Sequence, residues 1–560
     1  MKGALRTIGV FPAGEFERRR ELFDALREAF PVRFTGLEAV DGERCDALIQ
    51  FLEDEESPRF RGPSKTLLLR LPSEAPARSR LGSVVKFSDS NLLDSRLRRR
   101  VLAEDRELTG CLEEDPASAV LARSDGRPVW IKRKQDTREQ DIVAIAPAPL
   151  EAGEVLRDRV AVGRFLGLLP IIHFLREISE GNNTWEPPSP RASFVIDDPN
   201  LHWKTYGYLN YAELARQAEE LSYHVVIATV PLDYWYSHPP TVALLKKKSR
   251  YITLTLHGNN HSRRELGSSK DLLGLRRTLA QALRRASAFE QRTGLKVSRV
   301  MVPPHEACSE NALRALAQLG YEAVSMTRPY PWMPFGEGMS PYAHPNGNRP
   351  LTGWYPAELT PAGMPVLVRR VLWSHDEIVL RSYLDHPLIL YGHASELASG
   401  LGLLNEAAAT VNAQPGVRWC SLTDISRSNF QVIRDTTRLT IRPFSRHILV
   451  PIPEAVSELQ LELIPPLDQA RLYTRIPGDT GANELRPVED RTIELEMRHT
   501  RDRTVEIVAV PSDAVDPTTV PDLRLQAGPF ARRVLAEAQQ RMRPSLAQLK
   551  RTLRADLRGN

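Results

Sequence analysis

Between Ser193 and Phe430, seven short apolar runs alternate with helical stretches. The runs are FVIDD, HVVIATV, YITLTLH, RVMVPP, EAVSM, VLVRRVLW and PLILYGH, and the stretches include YAELARQAEELS and LLGLRRTLAQALRRASAFEQRTG. Strands separated by a helix cannot be hairpin partners; they run parallel, joined by helical crossovers, and both faces of such a sheet are covered. Seven units of this kind favour a closed β/α barrel over an open sheet. In either arrangement, the groups available for chemistry are those at the carboxyl ends of the strands.

A chain of 560 residues exceeds what one hydrophobic core supports, so the rest divides into further domains. Residues 1–180 alternate strands (TIGVFPAG, CDALIQFL, TLLLRLP, VVKFSDSN) with a helical run, FERRRELFDALREAF, which reads as a doubly wound α/β domain resembling the flavodoxin or glutamine-amidotransferase class in outline. PVWIKRK and DIVAIAPAPL add strands, and VAVGRFLGLLPIIHFLREI reads as a buried helix interrupted by proline. Neither Cys45 nor Cys111 sits on a strand-to-helix elbow flanked by glycines, so this domain is expected to be non-catalytic. The Pro-rich break GNNTWEPPSP separates it from the barrel, assigned to residues 190–430. Residues 431–525 change to period-two alternation (TRLTIRPF, RHILVPI, LQLELIPP, RTIELEMR, VEIVAVP), the pattern of a small β-sandwich, and residues 526–560 form a basic helical tail expected to break at Pro544. The fold class is therefore α/β and multidomain: a doubly wound domain, a distorted β/α barrel, and a sandwich with a helical tail.

The formal charge is +5, but residues 531–560 hold eight Arg and Lys against Glu537 and Asp556, a surplus of +6, which leaves the remainder at about −1. A near-neutral body excludes an extended phosphate-binding face, and nucleic acid is not an expected partner. The tail is read as a solvated helix, with peripheral contact to an anionic membrane surface as the alternative. Cys45, Cys111, Cys308 and Cys420 are scattered without a CxxC pair, which disfavours a structural zinc site or a disulfide framework and fits reduced thiols in a cytoplasmic protein. No apolar stretch reaches the length of a transmembrane span, and the first residues carry no apolar signal core.

Two strand ends carry the chemistry. Phe194-Val195-Ile196 runs into Asp197-Asp198, two adjacent carboxylates whose charge is costly without a cation. Tyr251–Leu256 runs into His257 and, after three residues, His261; if the segment turns helically, this spacing aims both imidazoles at one ion. Glycoside hydrolysis by the two carboxylates is disfavoured, since neighbours on one strand point to opposite sides rather than across a scissile bond.

Asp-Asp at one strand end followed about sixty residues later by HxxxH at another resembles the polysaccharide deacetylase (NodB homology) superfamily, carbohydrate esterase family 4, over roughly residues 193–430. The resemblance implies Asp197 as base and Asp198, His257 and His261 as metal ligands, with Pro199-Asn200 where the family usually has glycine. It implies a third motif around Pro304 and His305, within RVMVPPHEACS, that supplies a backbone oxyanion donor even though His305-Glu306 replaces the family's Tyr-Gly. It further implies His393, in LILYGHASEL, as general acid, charged by Asp376, Asp385 or Glu396. The implied cofactor is one divalent ion, zinc first, with cobalt or another ion as alternatives. The implied reaction is removal of an acyl group, acetyl above all, from an amino sugar or glycan conjugate; the alternative is an inactive glycan-binding or scaffold barrel. Trp203, Tyr234, Trp235 and Trp332, in loops after strands, are candidate sugar-stacking residues.

Overall fold

The computed structural model describes all residues except 1–4, 40–44, 54–62, 72–81, 106–110, 136, 151–155, 162, 181–183, 268–269, 329–355, 373–374, 476–484, 496–502, 525–526 and 557–560. The chain divides into two compact units between Glu186 and Pro187.

The first unit is built on a nine-stranded sheet. Arg6–Phe11 lies between Val32–Gly36 and Ala47–Leu52, and the parallel series continues through Lys65–Arg70 to Arg138–Val143. The doubly wound reading describes this half. The other half is antiparallel, through Arg127–Gln135, Ser118–Ser124, Ser83–Phe87 and Val101–Glu104. One of its hairpins, between Ser118–Ser124 and Arg127–Gln135, has a local cause: Asp125 and Gly126 both adopt positive φ (48° and 80°), the two-residue turn that folds a strand back instead of crossing over a helix. Pro170 does not interrupt a long helix; it opens the helix Leu169–Ser179, where its missing N–H costs nothing.

The second unit contains a closed ring of seven parallel strands: β1 (Arg191–Asp197), β2 (Val225–Thr229), β3 (Ile252–Leu256), β4 (Val297–Met301), β5 (Ala323–Met326), β6 (Pro365–Val371) and β7 (Leu388–His393). Closure is made by β1, which pairs on one side with β2 (Phe194 opposite Val225) and on the other with β7 (Asp197 opposite His393). β1 and β2 are buried along their whole length, as strands covered on both faces must be. The outer layer is amphipathic. Its longest helix, α1 (Leu272–Thr293), is capped by the Asp271 carboxylate on the Gly274 N–H (2.7 Å) and stopped by Gly294 at φ 69°.

Two four-stranded sheets follow, one of Phe430–Arg434, Arg438–Pro443, Glu458–Leu461 and Thr492–Glu494, the other of His447–Ile452, Arg503–Val510, Arg471–Arg475 and Arg486–Pro487. This sandwich is tied to the barrel through Arg446, which donates to the Ala317 carbonyl (2.6 Å).

The last element, α2 (Ala527–Asp556), corrects two expectations. It runs through Pro544 without a break, a position where the missing N–H leaves the Gln540 carbonyl without its helical donor. Nor is its first half a solvated helix, because Arg533 is buried and Phe530, Glu537 and Arg541 all contact the barrel. Among the described residues, no helix is long and apolar enough to cross a membrane.

Candidate metal centre

The two carboxylates that end β1 part company. Asp197 is the last residue of the strand and is buried; its two oxygens meet Nη1 and Nη2 of Arg369, each at 2.8 Å. Arg369 comes from β6, is itself buried, and donates from Nε and Nη2 to Oε1 of Glu306 (3.1 and 2.6 Å) while its guanidinium lies 4.2 Å from the Tyr391 ring centre. One cation therefore serves two carboxylates. Burial alone would lower the guanidinium's pKa, but Asp197 and Glu306 outweigh it and hold Arg369 above its ordinary value. Asp198, one residue on, leaves the strand at φ 81°, a left-handed conformation uncommon for a residue with a Cβ, and this turn aims its carboxylate away from Arg369 and toward the histidines.

Those histidines are positioned by the end of β3 and the loop that follows. His257 donates from Nδ1 to the Val302 carbonyl (2.9 Å), which fixes its tautomer and leaves Nε2 facing Asp198 Oδ1 at 3.4 Å. His261 Nε2 lies 2.9 Å from the same oxygen. The intervening loop is wound around one buried carboxylate: Glu265 accepts the backbone N–H groups of Asn259 (2.8 Å), Asn260 (2.8 Å) and His261 (3.2 Å). Arg285, on α1, clasps the Asn259 and Asn260 side-chain oxygens at 2.7 Å each. Gly258 is required at φ 68°, since a Cβ there would stand 2.5 Å from both Glu265 Oε2 and Pro304 Cγ.

The donor set suits a divalent cation. Asp198, His257 and His261 each offer a ligand atom, and all of these lie within 4.8 Å of one another. In a neutral His257 with its proton on Nδ1, the Nε2 lone pair points at a carboxylate lone pair, and Asp198 Oδ1 is buried without a well-formed hydrogen bond. Two facing lone pairs repel unless a proton or a metal ion lies between them. Without metal, a proton fills that role. Burial raises the pKa of Asp198 but the two imidazoles outweigh it and bring it well below the ordinary range; burial lowers the pKa of His257 but the Asp198 and Asp197 carboxylates outweigh it and raise it.

A pH dependence follows. The raised pKa gives the metal-free protein an ion pair whose stabilisation is fully present below the ordinary histidine value of about 6.5 and is lost as pH rises through the raised one. A metal needs the same lone pair, so its affinity runs in the opposite sense. The apparent dissociation constant for zinc is expected to rise about tenfold per pH unit on acidification below the pKa of His257. Chelator competition between about pH 5 and pH 8 checks this, and an affinity flat across that range would contradict it.

The remaining sequence-predicted residues fall into place unevenly. Pro304 is buried, and His305 stands exposed at φ 57° with its ring centre 4.9 Å from that of His261. Burial, then the neighbouring His261, lowers the His305 pKa, so the ring is a neutral neighbour of the cluster. His393 ends β7 opposite Asp197, with Glu396, of the three carboxylates considered, 3.5 Å from its Nδ1. Tyr234 is corrected: it is 6% exposed, stacks on Phe289 and bonds its hydroxyl to Thr229 (2.6 Å), so it is a core residue and not a sugar platform. Trp203 (47% exposed) lies under the Arg541 guanidinium, and Trp235 (59%) packs beside His202 and Phe530. Trp332 lies outside the described residues.

Arg369 and Glu265 escaped the sequence reading. Arg369 left one sign, a charge inside the apolar run VLVRRVLW, which in a buried strand demands a carboxylate partner. Glu265 sits among loop residues where nothing local distinguishes a buried carboxylate from a solvated one.

No family model and no curated protein matches the chain. Several solved structures are similar to it. One is Agd3, described as a novel carbohydrate deacetylase, at 11% identity over 90% of this chain and 99% of that one, with a TM-score of 0.44. Two others are a mutant form of the peptidoglycan deacetylase PdaC from Bacillus subtilis (10% identity, 43% of this chain and 93% of that one, TM-score 0.25) and a family 4 acetyl xylan esterase from Clostridium thermocellum in complex with a cobalt ion (10%, 42% and 89%, TM-score 0.24).

Proposed function

We propose that this chain is a metal-dependent carbohydrate deacetylase, a divergent member of the polysaccharide deacetylase superfamily, which removes an acetyl group from an amino sugar or glycan conjugate. The observation that carries the reading is the convergence of Asp198, His257 and His261 beside an Arg369-held Asp197, all at the carboxyl ends of barrel strands. The ion, zinc first and cobalt or another divalent ion as alternatives, would be held by those three side chains and would supply Lewis acidity and a bound water of lowered pKa.

The chain's own residues supply the rest. Asp197 is the base that takes the proton of the attacking water; its bidentate pairing with Arg369 fixes where its free lone pairs point. The backbone N–H at His305, held in a left-handed turn, is the donor assigned to the carbonyl oxygen as it gains negative charge. His393, oriented through Nδ1 by Glu396, protonates the leaving amine from Nε2. Free cysteines scattered through both units favour a cytoplasmic site of action on an intracellular glycan precursor or sugar conjugate.

Acetate release from acetylated amino-sugar oligomers tests this. The zinc-loaded chain is expected to turn over, and Asp197→Asn is expected to lower kcat at least about a hundredfold with KM little changed. An Asp197→Asn variant as active as the wild type would remove the base from the mechanism. Metal binding without acetate release from any such oligomer would favour a glycan-binding barrel instead.

A further inference from the structure

The helix α2 brings one residue to the metal loop from the far end of the chain. Arg533 donates from Nη2 to the backbone carbonyl of Asp198 at 3.1 Å, across 335 residues of sequence. Its Nε and Nη2 also clasp the Asp233 carboxylate, with Nε at 3.2 and 3.0 Å from the two oxygens. The guanidinium is 8% exposed, and a buried cation is retained only where its charge and its hydrogens are satisfied. Asp233 satisfies the charge. The remaining bond goes to the residue whose left-handed turn aims the ligand carboxylate at the two imidazoles.

The rest of the network holds Arg533 in place. His202, in the loop after β1, sits between the Asp233 carbonyl (2.9 Å from Nε2) and the Glu537 carboxylate of α2 (2.8 Å from Nδ1). Glu537 follows Arg533 by four residues and lies on the same helix face. Phe530 packs against Trp235, and Arg541 lies over Trp203. The helix is thus fastened at several points, while among the described residues only Arg533 reaches the backbone of a ligand residue.

We propose that Arg533 is a positioning residue for the metal site: by tying the Asp198 carbonyl it holds the left-handed turn that presents the Asp198 carboxylate, so that the C-terminal helix is part of the metal centre. This rests on Asp198, His257 and His261 being metal ligands. A group that orients a ligand from behind typically changes metal affinity by ten- to a hundredfold when removed.

The test uses the full-length chain with cobalt(II) as the probe, read by its visible absorption bands and by chelator competition. The variants are Arg533→Ala, Arg533→Lys and, for helix docking alone, Phe530→Ala. The expected result is a dissociation constant raised about ten- to a hundredfold in Arg533→Ala together with altered band positions, a smaller change in Arg533→Lys, and wild-type values in Phe530→Ala. Should Arg533→Ala fail to fold, Arg533→Lys, which keeps a cation beside Asp233, carries the same test. Wild-type affinity and bands in the Arg533 variants would overturn the proposal while leaving the metal site intact. Equal weakening in Phe530→Ala would overturn it in favour of helix docking as such. A wild-type chain that binds no cobalt would fail the metal reading itself, and the proposal with it.

Discussion

Replacing His257 and His261 together by alanine is expected to abolish stoichiometric metal binding and to lower acetate release by at least about a thousandfold, while the barrel stays folded. The loss is large because the three ligand atoms converge from two separate strand ends, and Asp198 alone cannot retain a divalent ion in competition with water. Folding should survive because the loop is held by groups other than the imidazoles. Glu265 collects three backbone N–H groups and Arg285 fixes both asparagine side chains, and neither contact needs a metal. The double variant also removes the two imidazoles whose contacts hold the Asp198 carboxyl below its ordinary range, so its pKa is expected to move back up. Circular dichroism beside elemental analysis separates loss of metal from loss of fold. Undiminished acetate release from a folded double variant would contradict the mechanism.

Arg369→Met is expected to destabilise the barrel by about 3–5 kcal/mol, measured by denaturant unfolding. The substitution leaves two carboxylates, Asp197 and Glu306, in a site from which their shared cation has been withdrawn. Asp197 is buried on a strand packed on both faces, so little solvent is available to replace the lost cation. Glu306 is better placed, since it retains the Thr327 N–H (2.8 Å) and hydroxyl (3.2 Å) as donors. Most of the penalty therefore belongs to Asp197, which also loses the fork that fixes its orientation and is expected to fail as a base in a variant that still folds. Arg369→Lys keeps the charge but cannot fork onto one carboxylate and bridge to another, and it is expected to fall between the two. A change below about 1 kcal/mol in Arg369→Met would mean that the bridge contributes no net stability.

What the sequence made legible follows from range. The seven barrel strands could be read because each is a short apolar run bounded by helical stretches, a local pattern. The convergence of Asp198, His257 and His261 could be read for the same reason, since Asp198 follows an apolar strand directly and His257 and His261 share one turn of loop. The groups that hold the cluster act at long range. Arg369 lies 172 residues from Asp197, and Arg533 lies 335 from Asp198, so no window on the sequence joins them. The tail illustrates the same limit: its basic composition reads as a solvated or surface-seeking helix, yet Arg533 and Glu537 carry its first half into contact with the loops after β1 and β2. Tyr234 fails for a different reason. An aromatic residue in a loop after a strand serves equally to stack a sugar or to cover the core, and only its contact with Phe289 decides between them.

The most direct test of the central claim is the metal content of the wild-type chain, purified under zinc-replete conditions, dialysed, and assayed by elemental analysis. One equivalent of divalent ion per chain, absent from the His257→Ala, His261→Ala variant, is the expected result. A folded wild-type chain that retains no metal would contradict it, and the barrel would then have to act, if at all, as a binding module.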